Sequence, residues 1–171
     1  MGPPRSTTAV ATLALLVAGV VAVVALGGGP FVPEGPAAPG EPSLVGATST
    51  GGHCVPTSEQ SVSASVQVDD AGTALTITGN VTVPDANYAL DSPSFQRVDR
   101  TVYVLGVASH EVTEKPPANC TDAAQATYTA TVAVPENVTD LTIDVSHDGV
   151  IVARVHYDGQ TASVSATNES A

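Results

Sequence analysis

The chain has 171 residues, enough for one domain beside an N-terminal extension, and it carries 17 acidic groups against 5 basic ones for a net charge of −12. A field of that sign repels phosphate backbones and excludes nucleic acid as a partner. With no Trp, two Phe and four Tyr, the core falls to Val, Ile, Leu and Ala, a thin filling that a covalent staple would help.

Residues 1–8 hold Arg5, the one basic side chain ahead of a long apolar run. The run from Ala9 to Leu26 is 18 residues without a charge, and Thr12 is its only polar side chain. As a helix it would be roughly 27 Å long, close to the ~30 Å hydrocarbon core of a bilayer. Arg5 before it and Glu34 and Glu41 after it predict a cytoplasmic N-terminus and an exported C-terminal part. An uncleaved single-pass anchor is the expected form. A cleaved signal peptide with its site at Val23-Val24-Ala25 is the alternative, and it would give a secreted protein.

Residues 27–52 are rich in Pro, Gly and small polar residues with no hydrophobic period, which predicts a linker. The domain is expected over 53–166, with a flexible tail at 167–171. From 61 onward the apolar residues recur with period two, the pattern of half-buried strands. In 61–69 the inward set is Val62, Ala64, Val66 and Val68. In 73–83 it is Leu75, Ile77, Gly79, Val81 and Val83. Pairing Val68 with Leu75 and Val66 with Ile77 leaves a four-residue loop at 70–73.

Long loops follow at 85–98 and 110–123, separated by a strand over 99–109 that is apolar on both faces and so central. The segment 124–134 alternates again, with Ala126, Tyr128, Ala130, Val132 and Val134 inward. In the last hairpin a two-residue Asp148-Gly149 turn would set Ile143 against Arg154 and mix faces. A three-residue loop, 147–149, pairs Val145 with Ile151 and Ile143 with Ala153, and places Gly149 at a positive φ. A short strand at 161–166 closes the domain. About seven strands with no helical pattern after the apolar run predict an all-β, antiparallel, immunoglobulin-like sandwich preceded by one transmembrane or signal helix. The likeness to that class is in strand number, since a buried Trp is lacking and the cysteines are not on strands.

Cys54 and Cys120 are the only cysteines. In an exported chain an even count predicts a disulfide, and two thiols without a CxxC pattern make a poor zinc site. The sequons at Asn80, Asn119, Asn137 and Asn168 are candidate glycan sites. Asn80 faces outward and Asn137 sits in a turn, whereas Asn119 is crowded by Cys120. His53, His110, His147 and His156 show no HxH or HxxxH spacing and are expected to be scattered on the surface, so no metal site is expected. No cofactor site is expected. No G-x-S-x-G, H-E-x-x-H or phosphate-cradling glycine loop occurs, and the chain is not expected to be an enzyme.

Low Lys, high Asp and abundant Ala, Thr, Val and Gly resemble the proteins of salt-loving archaea, where molar salt screens the self-repulsion of an acidic surface. The run of apolar residues, the spacer and the Gly52-His53-Cys54, Cys120 and Tyr128-x-Ala130-x-Val132-x-Val134-Pro135 stretches resemble small exported domains of haloarchaea. That resemblance carries over no catalytic residue. The expected role is a membrane-tethered extracellular binding or structural module of the cell envelope. Its partner would be an envelope protein or glycan, and the two long loops are the candidate contact surface. A secreted inhibitor or accessory domain released by signal cleavage is the alternative.

Overall fold

The computed structural model describes residues 40–57, 59–69, 72–113, 120–121 and 123–167. The apolar run at 9–26, its flanks at 1–8 and 27–39, Asn119, Asn168 and the tail from 168 lie outside those residues. Among the described residues no helix is long and apolar enough to cross a membrane.

Among the described residues twelve strands form: β1 (Ser43–Ser49), β2 (His53–Val55), β3 (Val62–Asp69), β4 (Gly72–Val83), β5 (Tyr88–Leu90), β6 (Ser94–Arg97), β7 (Val102–Val107), β8 (Ser109–Glu111), β9 (Ala123–Val134), β10 (Leu141–His147), β11 (Val150–Tyr157) and β12 (Ala162–Ala166). One sheet runs β1-β9-β4-β3, with β2 also on the outer edge of β9. The second runs β12-β11-β10-β7-β6. The two sheets share one core, in a β-sandwich-like arrangement.

The alternating stretches fold as their pattern dictates. In β9 every second residue from Ala124 to Val134 is buried, and in β4 so are Leu75, Ile77, Gly79, Val81 and Val83. These two central strands pair over their full length, from Thr73↔Val134 to Val83↔Ala124. The core is less aliphatic than the composition suggests, because Tyr103, Tyr128 and Tyr157 are all buried in it.

Five expectations need correction. Ser43–Ser49, placed in the linker, forms β1 and pairs with Ala133–Tyr128 of β9, which supplies the hydrogen bonds that its small polar residues do not advertise. Pairing of β3 with β4 is two residues tighter than expected, with Val66 opposite Leu75 and the ladder closing at Asp69↔Gly72. A shift of two residues keeps every side chain on its own face, so face matching cannot detect it. Val68, expected inward, is 74% exposed at the end of this edge strand.

Third, the β10–β11 hairpin does use a two-residue turn. Asp148 (φ 48°) and Gly149 (φ 86°) both take positive φ, and His147 pairs with Val150. Between Ser146↔Ile151 and Val145↔Ala153 the register shifts, leaving Val152 as the extra residue of a bulge. The bulge restores face matching, so Ile143 faces Val155 and Leu141 faces Tyr157. It also sets Asp144 opposite Arg154, which donates to both carboxylate oxygens at 2.6 and 3.0 Å. Asp144 is buried, while the Arg154 side chain stays half exposed.

Fourth, the sheets are not wholly antiparallel. β7 and β10 run parallel, from Thr142↔Val102 to His147↔Val107, while every other described pair is antiparallel. A parallel pair needs a long crossover, which β8, β9 and their connections provide. Fifth, the two long loops are partly structured. β5, from the first, pairs with β8, which leads into the second, as a two-stranded ribbon.

Candidate functional site

A cleft of about 410 Å3 opens where the β6–β7 turn, the segment before β1 and the β9–β10 connection meet. The β6–β7 hairpin builds one wall. Val98 and Asp99 donate their amides to the Val102 carbonyl at 2.9 and 3.1 Å, and the Asp99 carboxylate accepts the Arg100 amide at 2.7 Å. Arg97, at the end of β6, ties this wall to the next. Its guanidinium donates to Glu41 Oε1, to the Asp99 carbonyl at 3.1 Å and to the Arg100 carbonyl at 3.2 Å.

The opposite wall is the Pro135–Val138 turn, closed by the Val138 amide on the Pro135 carbonyl at 2.9 Å. Asn137 is exposed on it, and Asp140 stands 3.7 Å from His156 Nδ1. The Thr142 amide donates to the Thr101 carbonyl at 2.8 Å and joins the walls at their base. Tyr103 and Leu141 floor the cleft, and Phe95 stacks on the Tyr103 ring at 5.0 Å. Burial raises the Tyr103 phenol above its ordinary pKa of 10.0, with Arg97 pulling it down and Glu41 up, so it is a neutral hydrogen-bonding group at physiological pH.

The expected site residues are dispersed. Cys54 and Cys120 form the disulfide, with Cα atoms 5.3 Å apart, and it ties β2 to the segment before β9. Cys54 is therefore on a strand, contrary to expectation. Asn80 is half-buried on β4, where its Oδ1 accepts the Ser61 amide at 2.7 Å, so this sequon is less open than its register suggests. Of the two sequons among the described residues, Asn137 is the exposed one and lines the cleft. His53, His110 and His156 are exposed, and His110 Nδ1 lies 2.8 Å from Asp91. No group of three or more metal-ligating side chains occurs among the described residues.

His147 is the exception among the histidines. It is 4% exposed, and its Nε2 is 3.0 Å from the Tyr128 hydroxyl across the two sheets. Nδ1 has no hydrogen-bond partner among the described residues, so either tautomer leaves one buried polar atom unpaired there. The alternation Leu141, Ile143, Val145, His147 carries the signal that puts it inward. Burial, the larger effect, lowers its pKa from 6.5, and Asp148 acts in the opposite sense.

The unfolded chain therefore binds this proton first as pH falls below 6.5, and the fold loses stability until the lower, folded value is passed. Urea midpoints at pH 7.5 and 5.5 test this. The wild type is expected to lose more stability over that interval than His147→Gln. Equal losses would show that another group sets the slope.

The cleft escapes a sequence reading because Glu41, Arg97–Tyr103 and Asn137–Leu141 come from three separate segments. The only hint is that two of the chain's few arginines, Arg97 and Arg100, lie in one turn. No protein-family model, curated protein or solved structure matches this chain.

Proposed function

We propose that the chain is an exported, membrane-tethered β-sandwich that binds a component of a high-salt archaeal cell envelope and performs no catalysis of its own. The observation that carries this reading is the Cys54–Cys120 disulfide, because such bonds persist in oxidising compartments and are rare in reducing ones. The apolar run at 9–26, with its basic flank on one side and acidic flank on the other, supplies the tether and the orientation. The acidic surface suits molar salt. The rigid turns around the cleft support binding, since loops on a fixed scaffold commonly carry it. Within its fold class we assign the domain to an immunoglobulin-like variant. The neighbour orders β3-β4-β9 and β7-β10-β11 support this, and the parallel β7–β10 pair is its departure from that class.

Protease added to intact cells tests the proposal. The domain is expected to be digested while an N-terminal fragment stays with the membrane, and the cysteines are expected to resist alkylation until reductant is added. Release of the whole domain into the medium with a new N-terminus just after the apolar run would favour the secreted accessory module instead. A domain protected from protease in intact cells, with both thiols free, would overturn export altogether.

A further inference from the structure

We propose that the cleft binds the carboxylate of an acidic saccharide, with Arg100 as its anion contact; this rests on the binding-module reading above and deepens it. The starting observation is a guanidinium without a partner. Among the described residues the Lys and Arg side chains are Arg97, Arg100 and Arg154. Arg97 is committed to Glu41 and two carbonyls, and Arg154 to both oxygens of Asp144. Of these three, Arg100 alone makes no side-chain hydrogen bond or ion pair among the described residues.

Its backbone is nevertheless fixed at both ends, the amide on the Asp99 carboxylate and the carbonyl on Arg97. A ligand at Arg100 would thus meet a backbone that is already ordered. A guanidinium presents a planar fork of donors that fits a carboxylate through two parallel hydrogen bonds.

The rest of the cleft selects among carboxylates. Thr101 and Thr139 offer hydroxyls, Asn137 an amide and Asp140 an acceptor, a set suited to ring hydroxyls. Tyr103, buried and stacked on Phe95, closes the bottom of the cleft. A volume of about 410 Å3 suits a small ligand. A free phosphate would use Arg100 but would leave the hydroxyl partners idle, and Glu41 and Asp140 would oppose its second charge. A cationic peptide would face Arg97 and Arg100 along one whole wall.

The same chemistry has two sources. One is a glycan on Asn137 itself, since that sequon stands on the rim; the other is a separate envelope saccharide. The test uses the full chain in detergent, made without glycosylation, at a salt concentration where it is folded. Sodium glucuronate is titrated, with glucose as the neutral comparison, and the amide resonances of Thr101 and Asp140 are followed. Glucuronate is expected to shift both. Arg100→Gln is expected to weaken that binding about tenfold or more, the usual range for a hydrogen bond to a charged group.

Shifts absent from the cleft, equal for glucose, or unchanged in Arg100→Gln would overturn the proposal while leaving export, which is read separately on cells, intact. Peptide mass spectrometry of Asn137 from native membranes separates the sources. An acidic glycan there that blocks added glucuronate identifies the chain's own sugar, and an unmodified Asn137 identifies a separate one. A purely neutral glycan seated in the cleft would also overturn the anion contact.

Discussion

Gly79→Ala is expected to destabilise the domain by about 3 kcal/mol, a large effect for one methyl group. Gly79 lies directly opposite Tyr128 in the β4–β9 ladder, and the Tyr128 ring covers the space where a side chain would be. A Cβ at this position would collide with Tyr128 Oη and meet Cζ at 2.6 Å and Cε1 at 2.8 Å. The ring cannot retreat into solvent, because Tyr128 is 1% exposed and wedged between two sheets. Its displacement also pulls the hydroxyl from His147 Nε2, leaving that imidazole buried without any partner. Overpacking and the lost hydrogen bond thus act together. Chemical denaturation measures the sum, and the exposed neighbour substitution Thr82→Ala is expected to stay within about 1 kcal/mol. If Gly79→Ala costs no more than that, the close approach of ring and backbone does not constrain the sheet.

Loss of the disulfide is expected to have the largest effect of any covalent change. The two cysteines are 66 residues apart, and opening a loop of that length costs roughly 4 kcal/mol in the chain-entropy account. Cys54 is exposed, so reductant reaches the bond without prior unfolding. The urea midpoint with and without reductant, and that of the Cys54→Ala/Cys120→Ala double variant, report the difference. Both are expected to fall together. Hydrogen exchange is expected to quicken first in β2, which pairs with β9 through only His53, Cys54 and Val55, and last in the long β4–β9 ladder. A midpoint that shifts by less than about 1 kcal/mol on reduction would mean that this loop is already restrained in the unfolded chain.

The strands that a reader finds in the sequence are those whose burial is one-sided and regular. β4 and β9 announce themselves because each alternates over a long run, and period two survives even where both neighbours are strands. β1 does not, since apart from Leu44 and Val45 its residues are small or polar, and it becomes a strand through the hydrogen bonds offered by β9. The β10–β11 hairpin shows a different limit. In a regular ladder the two-residue turn mixes faces. One bulge at Val152 removes that mixing, and nothing in Ile151-Val152-Ala153 distinguishes the bulged residue from its neighbours.

His147 was legible in principle, being the next inward position after Val145, but its polarity and the adjacent Asp-Gly argued for a loop. The disulfide follows from the even cysteine count and the expected export alone. The cleft required the fold, because its arginines and acids become neighbours only after β6–β7, β1 and β10 have come together.

The parallel seam between β7 and β10 has a kinetic consequence. β7 is made early in the chain, yet its partner arrives only after the polypeptide has crossed to the other sheet, laid down β9 between β1 and β4, and returned. The second sheet cannot be completed until β9 of the first has been passed, so assembly is governed by contacts distant in sequence and belongs among the slow, millisecond-to-second folders. A chain emerging N-terminus first would keep one edge of β7 unpaired until residue 147 is free. During that interval the edge is open to pairing with another chain.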